Sequence, residues 1–333
     1  MSKKVAKPAE TQVSLALELR VDVELKGLAE ACGGLGPYID PFVKRLKVEN
    51  SRVKEGEQTG IPQIPLLVTD RLSIVDVKAL FTAVSGYSFL RAIMLHSCDI
   101  KDEGVLVVSE FIRKYKPTPD KNPFGVETLE LPSCGITARG CVHLEKLFAE
   151  NATIKTLNLD FNKIGKEGAQ CLSNGLRWNS TLSQLSLEYC GIDSDGGPVV
   201  ASIIKSSNVR TLSLMGNTLG DKGIVAVGRA MAVSSQLESI NLADNCFGEK
   251  SEGVEGLCEG IEKCRTLTAI NIDFNTLHPS SAQALLAVVQ NCVQLTSVVV
   301  DERLEADVYR QMMDIVSSRN KSDKKEKAAP SKK

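Results

Sequence analysis

Apolar residues recur through most of the chain at positions 1, 4, 6 and 11 of an eleven-residue frame, with Asn or Cys at position 9. The frame reads LRAIMLHSCDI from Leu90, VETLELPSCGI from Val126, IKTLNLDFNKI from Ile154 and LSQLSLEYCGI from Leu182. It continues as VRTLSLMGNTL from Val209, LESINLADNCF from Leu237 and LTAINIDFNTL from Leu267, and ends in a truncated LTSVVV from Leu295. Apart from one interval of 36 residues, successive frames begin 27 to 30 residues apart. Alternation inside the frame predicts a short strand whose apolar side chains share one face. Asn162, Asn217, Asn245 and Asn275 then fall in the turn, where a side-chain amide can bond the neighbouring backbone, with Cys98, Cys134 and Cys190 in their place elsewhere. Segments such as GKEGAQCLSNGLRWN and HPSSAQALLAVVQNC follow with helical periodicity, pairing Leu172 with Leu176 and Ala284 with Val288. One strand and one helix cannot bury their apolar faces alone; a stack of such units can.

The ends of the array are read from the same pattern. PQIPLLVTDRL from Pro62 is a degenerate first frame that keeps Leu67, Asp70 and Leu72 in step, its prolines suiting a sheet edge. Residues 1–11 read as a basic flexible segment and residues 12–61 as a cap, with an edge strand in VSLALELRVDVEL and a glycine-broken helix in LKGLAEACGGLG. The repeats occupy 62–316, closed by a helix in ADVYRQMMDIVSSRNK, and residues 317–333 read as a disordered basic tail with little to bury. RKYKPTPDKNPFG, residues 113–125, accounts for the long interval and reads as an exposed loop.

LNLDFNKIGKEGAQCL and LSLMGNTLGDKGIVAV make the repeats resemble leucine-rich repeats of the ribonuclease-inhibitor type, over about residues 62–316. That resemblance implies a right-handed α/β solenoid, or horseshoe, with a parallel sheet on its concave side and helices on its convex side. Similar repeats occur in ribonuclease inhibitors, the GTPase-activating protein for Ran, sensors of the NOD type, tropomodulins, and subunits of ciliary and flagellar axonemes. The small array and lysine-rich ends are similar in layout to the last group. They imply a non-enzymatic protein-binding scaffold in the cytoplasm or cytoskeleton, with tubulin or axonemal proteins as partners. The alternative is a GTPase-activating protein for a Ran-like GTPase, whose functional arginine has no assigned position in this chain.

Composition narrows the partner. Of 333 residues, 43% are hydrophobic and 24% charged, which suits a chain with a sizeable core. The net charge of -1 conceals lysine-rich ends and an acidic body. An acidic body disfavours duplex DNA, and only 5% aromatic residues disfavour a base-stacking platform. No apolar run reaches the roughly 18–20 residues of a membrane span. Ten cysteines without a CxxC pair read as reduced, mostly buried thiols, and in such a compartment the sequons at Asn151 and Asn179 have no role.

Between the inward apolar positions, the frame presents residues to the concave side. Glu130 and Asn158 lie at the strand centre, and Asp160, Glu188, Asp273 and Asp301 one step outward. Phe161, Tyr189, Asp244, Phe274 and Glu302 come just beyond, with Glu127, Glu238, Arg91, Lys155 and Arg210 on the flank. Acids that focus a field, beside rings that can anchor a contact, read as the binding surface for a protein with a basic surface. No catalytic constellation emerges: there is neither GxxxxGK[ST] nor HExxH, and His96, His143 and His278 lie far apart. His96 faces the concavity near Thr69 and Pro132, which offer it no chemistry. Asp160, Asp244 and Asp273 lack the mixed ligands of a metal site, so no cofactor is expected. Trp178 reads as a packing residue between helices.

Overall fold

The computed structural model describes residues 26–27, 36–54, 64–115 and 125–328. They fall into two units divided after Cys134.

The first unit contains helix α1 (Gly36–Lys54), strand β1 (Leu66–Val68), α2 (Ile74–Val84), β2 (Ala92–Leu95), α3 (Lys101–Lys114) and β3 (Thr128–Glu130). The strands are parallel and pair in chain order. Leu66 lies opposite Ile93 and Val68 opposite Leu95, so the degenerate first repeat does form a strand. Its register differs from the frame by one residue: Leu66 and Val68 are buried, and Leu67 takes the outward position beside Met94. A shift of one residue exchanges the two faces of a strand, and here burial of Leu66 and Val68 decides between them. Ser73 and Asp76 form a capping box that starts α2. On α1, Ile39, Phe42, Val43 and Leu46 are buried. The expected edge strand at 13–25 lies outside the described residues, as does the expected glycine-broken helix apart from 26–27. Helix α3 reaches Lys114 and so takes up the start of the expected 113–125 loop, of which residues 116–124 are not described.

The second unit repeats one motif. Strands β4 (Thr156–Asn158), β5 (Gln184–Ser186), β6 (Thr211–Ser213), β7 (Ser239–Asn241), β8 (Ala269–Asn271) and β9 (Ser297–Val299) are parallel, each paired with the next. Helices α4 (Ala138–Glu150), α5 (Gly165–Leu176), α6 (Gly197–Ser206), α7 (Gly220–Met231), α8 (Ser251–Lys263) and α9 (Pro279–Asn291) alternate with them, and α10 (Ala306–Ala328) follows β9. Leu157, Leu185, Leu212, Ile240, Ile270 and Val298 stack without slip and are all buried. Each unit is a run of strand–helix repeats of the leucine-rich-repeat solenoid.

A column of amides joins the turns. Asn217 Oδ1 accepts from the Cys190 and Ile192 amides, while its Nδ2 donates to the Leu187 and Leu214 carbonyls. Asn162 and Asn275 likewise accept from a backbone amide of the neighbouring repeat and donate to backbone carbonyls, whereas Asn245 Nδ2 donates to the Leu214 and Leu242 carbonyls while its buried Oδ1 has no hydrogen-bond partner among the described residues. Where Cys replaces Asn, the thiol only donates: Cys98 to Val68 O, Cys134 to Leu95 O and Cys190 to Leu159 O. Burial raises these thiol pKa values, to about 12 for Cys98 and Cys190 and about 11 for Cys134, which keeps them protonated.

A second column lies where helices return to strands. Asn179 Oδ1 accepts from the Thr181 and Leu182 amides, and its Nδ2 donates to the Phe148 and Asn151 carbonyls. Asn151 accepts in the same way from Thr153 and Ile154. Both asparagines of the apparent sequons are therefore turn formers. At the end of the array Arg319 donates to the Val289, Gln290, Cys292 and Leu295 carbonyls. Helix α10 thus continues past Ser317, where the sequence suggests a disordered tail, because Arg319 finds partners 24 to 30 residues back along the chain.

Candidate functional site

In the first unit the strand-centre column holds Leu67, Met94 and Glu130. Glu130 is already engaged, its Oε2 2.9 Å from His96 Nε2. His96 therefore faces a carboxylate, contrary to the sequence reading that left it with Thr69 and Pro132. Arg91 pairs with Glu127 at 2.5 Å, which neutralises that flanking acid.

In the second unit the register aligns Asn158, Ser186, Ser213, Asn241, Asn271 and Val299 across the sheet. Asn158, Asn241 and Asn271 turn their Oδ1 atoms back to the amides of Asp160, Ala243 and Asp273, at 2.8, 3.1 and 3.0 Å. These asparagines shape the exit from each strand.

Beyond the strands, hydroxyls orient two carboxylates. Asp160 Oδ1 accepts from Ser186 Oγ at 2.6 Å and from the Glu188 amide at 2.8 Å. One repeat on, Glu188 Oε1 accepts from Ser213 Oγ at 2.5 Å. Asp160 is only 8% exposed, so its carboxylate is largely covered. The tie to Ser186 arises because the register sets residue 158 beside 186, bringing that serine within reach of an acid 26 positions away. Asp160, Glu188, Asp244 and Asp273 form no ion pair with any described residue, whereas Glu238 on the flank is paired with Arg210 at 2.6 Å.

The next position carries the rings. Phe161, Tyr189, Asp244 and Phe274 have φ values of 58°, 51°, 52° and 56°, and Gly216 holds the same place in its repeat with φ of 70°. An aromatic side chain on left-handed backbone is strained relative to glycine. Phe161 and Tyr189 stack with centroids 5.0 Å apart and planes 8° from parallel. The far side of Tyr189 covers Gly216, where an added Cβ would meet the ring at 2.2 Å. Phe161 nevertheless remains 57% exposed and Phe274 61%. Asp273 Oδ1 accepts from the Phe274 amide and helps hold that turn. Asp301 does not join the open surface: it is buried, and the Arg303 guanidinium clamps both its oxygens and holds its carboxyl below the ordinary range. Glu302 beside it is exposed.

Trp178 lies 84% exposed with the Arg177 guanidinium 5.4 Å above its ring, so it does not pack between helices. His278 caps α9 through the Ser280 amide, and His143 lies on α4. Among the described residues no group of three or more His, Cys, Asp or Glu could hold a metal ion, and no helix is long and apolar enough to cross a membrane. The orienting serines and Gly216 are the parts that sequence reasoning missed. Their only trace there is the serine shared by the fifth frame position of two successive repeats.

Comparison with known proteins agrees with the repeat pattern. A family model described as "Leucine Rich repeat" matches residues 150–173, 205–228 and 263–286. The chain is 27% identical over 217 residues to a ribonuclease inhibitor of Mus musculus, covering 64% of this chain and 46% of that protein. It is 26% identical over 227 residues to NACHT, LRR and PYD domains-containing protein 5 of Bos taurus, covering 67% of this chain and 20% of the relative. The chain thus spans less than half the length of these curated relatives. Among solved structures, the tropomodulin C-terminal domain of Caenorhabditis elegans matches with a TM-score of 0.38 and 10% identity, over 57% of this chain and 97% of that one. The chain therefore has the leucine-rich-repeat solenoid fold, and its repeats are similar to those of ribonuclease inhibitors and NACHT, LRR and PYD domains-containing proteins.

Proposed function

We propose that the chain is a non-enzymatic protein-binding scaffold, and that the strand face of its second unit receives a partner with a basic surface. The observation that carries this reading is the exposed Phe161–Tyr189 stack, set on strained backbone beside Asp160 and Glu188, which form no ion pair among the described residues. Strain kept at an exposed aromatic, where glycine would be unstrained, points to a use for the ring. Large rings anchor interfaces, and like charges around them select the sign of the partner. A murine relative named as an inhibitor of ribonuclease supports protein binding as the role of such an array. The acidic body argues against a DNA partner.

The setting we propose is an axonemal or other cytoskeletal assembly, where the lysine-rich ends would suit acidic surfaces such as those of tubulin. The alternative, action on a Ran-like GTPase, rests on resemblance alone. Photo-crosslinking in extract of the native cells tests the face: a crosslinker at the exposed Thr211 on β6 should capture the partner, and one at Gln170 on α5 should not. Capture from Gln170 alone would overturn the concave assignment. Fractionation tests the setting: retention in the salt-resistant cytoskeleton with tubulin supports it, whereas a soluble complex with a GTPase replaces it with the alternative.

A further inference from the structure

We infer that Asp160, Phe161, Glu188 and Tyr189 form a seat for an arginine side chain of the partner. This rests on the protein-binding reading and specifies its chemistry. Asp160 and Glu188 are each tied by one oxygen, through the hydroxyls of Ser186 and Ser213, and the second oxygen of each has no hydrogen bond among the described residues. Asp160 is largely covered and held by neutral donors alone, so its second oxygen can still take a charge-assisted hydrogen bond. A cation supplied from outside completes it. The orientation of both groups is fixed beforehand, so little side-chain entropy is lost on binding.

The rings decide which cation. Phe161 and Tyr189 lie almost parallel, the far face of Tyr189 is closed by Gly216, and Phe161 keeps most of its surface open. A planar guanidinium can lie against a ring while its N–H groups reach carboxylate oxygens; an ammonium is more strongly hydrated and has no flat face. The neighbouring repeat breaks the pattern with Met215 and Gly216, and in the next Asp244 replaces the ring, so stacked rings and tied acids coincide at these two repeats within the second unit.

Isothermal titration of the full chain with acetyl-Gly-Arg-Gly-Arg-Gly-amide, its lysine counterpart and its citrulline counterpart tests the seat. Arginine should bind at least about threefold tighter than lysine, in line with the stacking increment. Citrulline, planar but uncharged, should lose about tenfold or more. Phe161→Leu should lower arginine affinity about threefold without changing that of lysine, and Asp160→Asn should lower both. Ser186→Ala leaves the charge in place but frees the carboxylate, and should weaken arginine binding without affecting the fold, as judged by circular dichroism. Equal affinity for arginine and lysine, indifference to Phe161→Leu, or no saturable binding at millimolar peptide each overturns the seat. If the Thr211 crosslink to the partner persists in any of those cases, only the arginine assignment fails. If it is lost as well, the scaffold reading fails with it.

Discussion

Asn217 shows how much one buried side chain can hold. Its amide closes four hydrogen bonds to two repeats in a place closed to water. Asn217→Ala leaves donors and acceptors unmatched, and each unmatched buried group costs about 1–3 kcal/mol, so urea unfolding should show a loss of roughly 3 kcal/mol. Cys190→Ala removes a single thiol donor and should cost about 1 kcal/mol. The thiols also set an alkaline limit. Cys98, Cys190 and Cys258 are raised by burial to about 12, while in the unfolded chain they titrate at their ordinary value. Above that ordinary value the unfolded chain releases protons that the folded chain keeps. Their contribution is therefore complete below about pH 8.5 and is lost progressively towards pH 12. Denaturation midpoints measured from pH 7 to 11 should hold and then fall, and Cys98→Ala should make the alkaline fall shallower. The amide column was legible in the sequence because a polar residue recurring in an apolar frame needs a backbone partner. The Ser186–Asp160 and Ser213–Glu188 ties were not, since they join residues 26 and 25 apart and depend on strand register.

At the scale of elements, α7 and α8 meet through glycine. A Cβ on Gly228 would stand 2.1 Å from the Gly256 carbonyl oxygen, and one on Gly260 would stand 2.4 Å from that of Gly228. Alanine ordinarily improves a helix over glycine by about 0.5–1 kcal/mol. Here backbone lies against backbone with no flexible side chain to yield, so Gly228→Ala should destabilise by about 1–3 kcal/mol. Gly86→Ala, with nothing within 4 Å of the added Cβ, is the control and should change little. Thermal unfolding of the two variants separates the cases; equal melting temperatures would show that the helices can move apart. Strand and helix order followed from the repeat period, because each repeat supplies its own strand and helix signal. The register of β1 did not, since PQIPLLV offers two neighbouring apolar phases and only packing against Ile93 and Leu95 selects Leu66 and Val68. Trp178 was misplaced for a related reason: a large ring near a helix end carries no mark of which way it faces.

Within a stack of repeats, stability is close to a sum of repeat terms and nearest-neighbour terms, and an end repeat, with one neighbour instead of two, is the place where opening starts. In the second unit that end is β9 and α10. Arg319 holds it, with a planar head that donates to four carbonyls from the end of α9 and the turn into β9. Asn320 adds a bond to the Thr296 carbonyl. Arg319→Ala should therefore speed amide exchange in α10 and in Ser297–Val299 by about tenfold or more, the factor that corresponds to losing roughly 1.4 kcal/mol of local stability. Exchange in Thr156–Asn158, five strands away, should be unchanged, because each repeat is stabilised by its neighbours. Arg319→Lys should not restore protection: an ammonium is a compact point donor and cannot span four carbonyls as the guanidinium does. Uniform acceleration across all the strands of the unit would mean that the repeats unfold as one block, and would replace the nearest-neighbour description. Acceleration confined to the end would also explain how the helix persists past Ser317 in a segment whose own composition has little to bury.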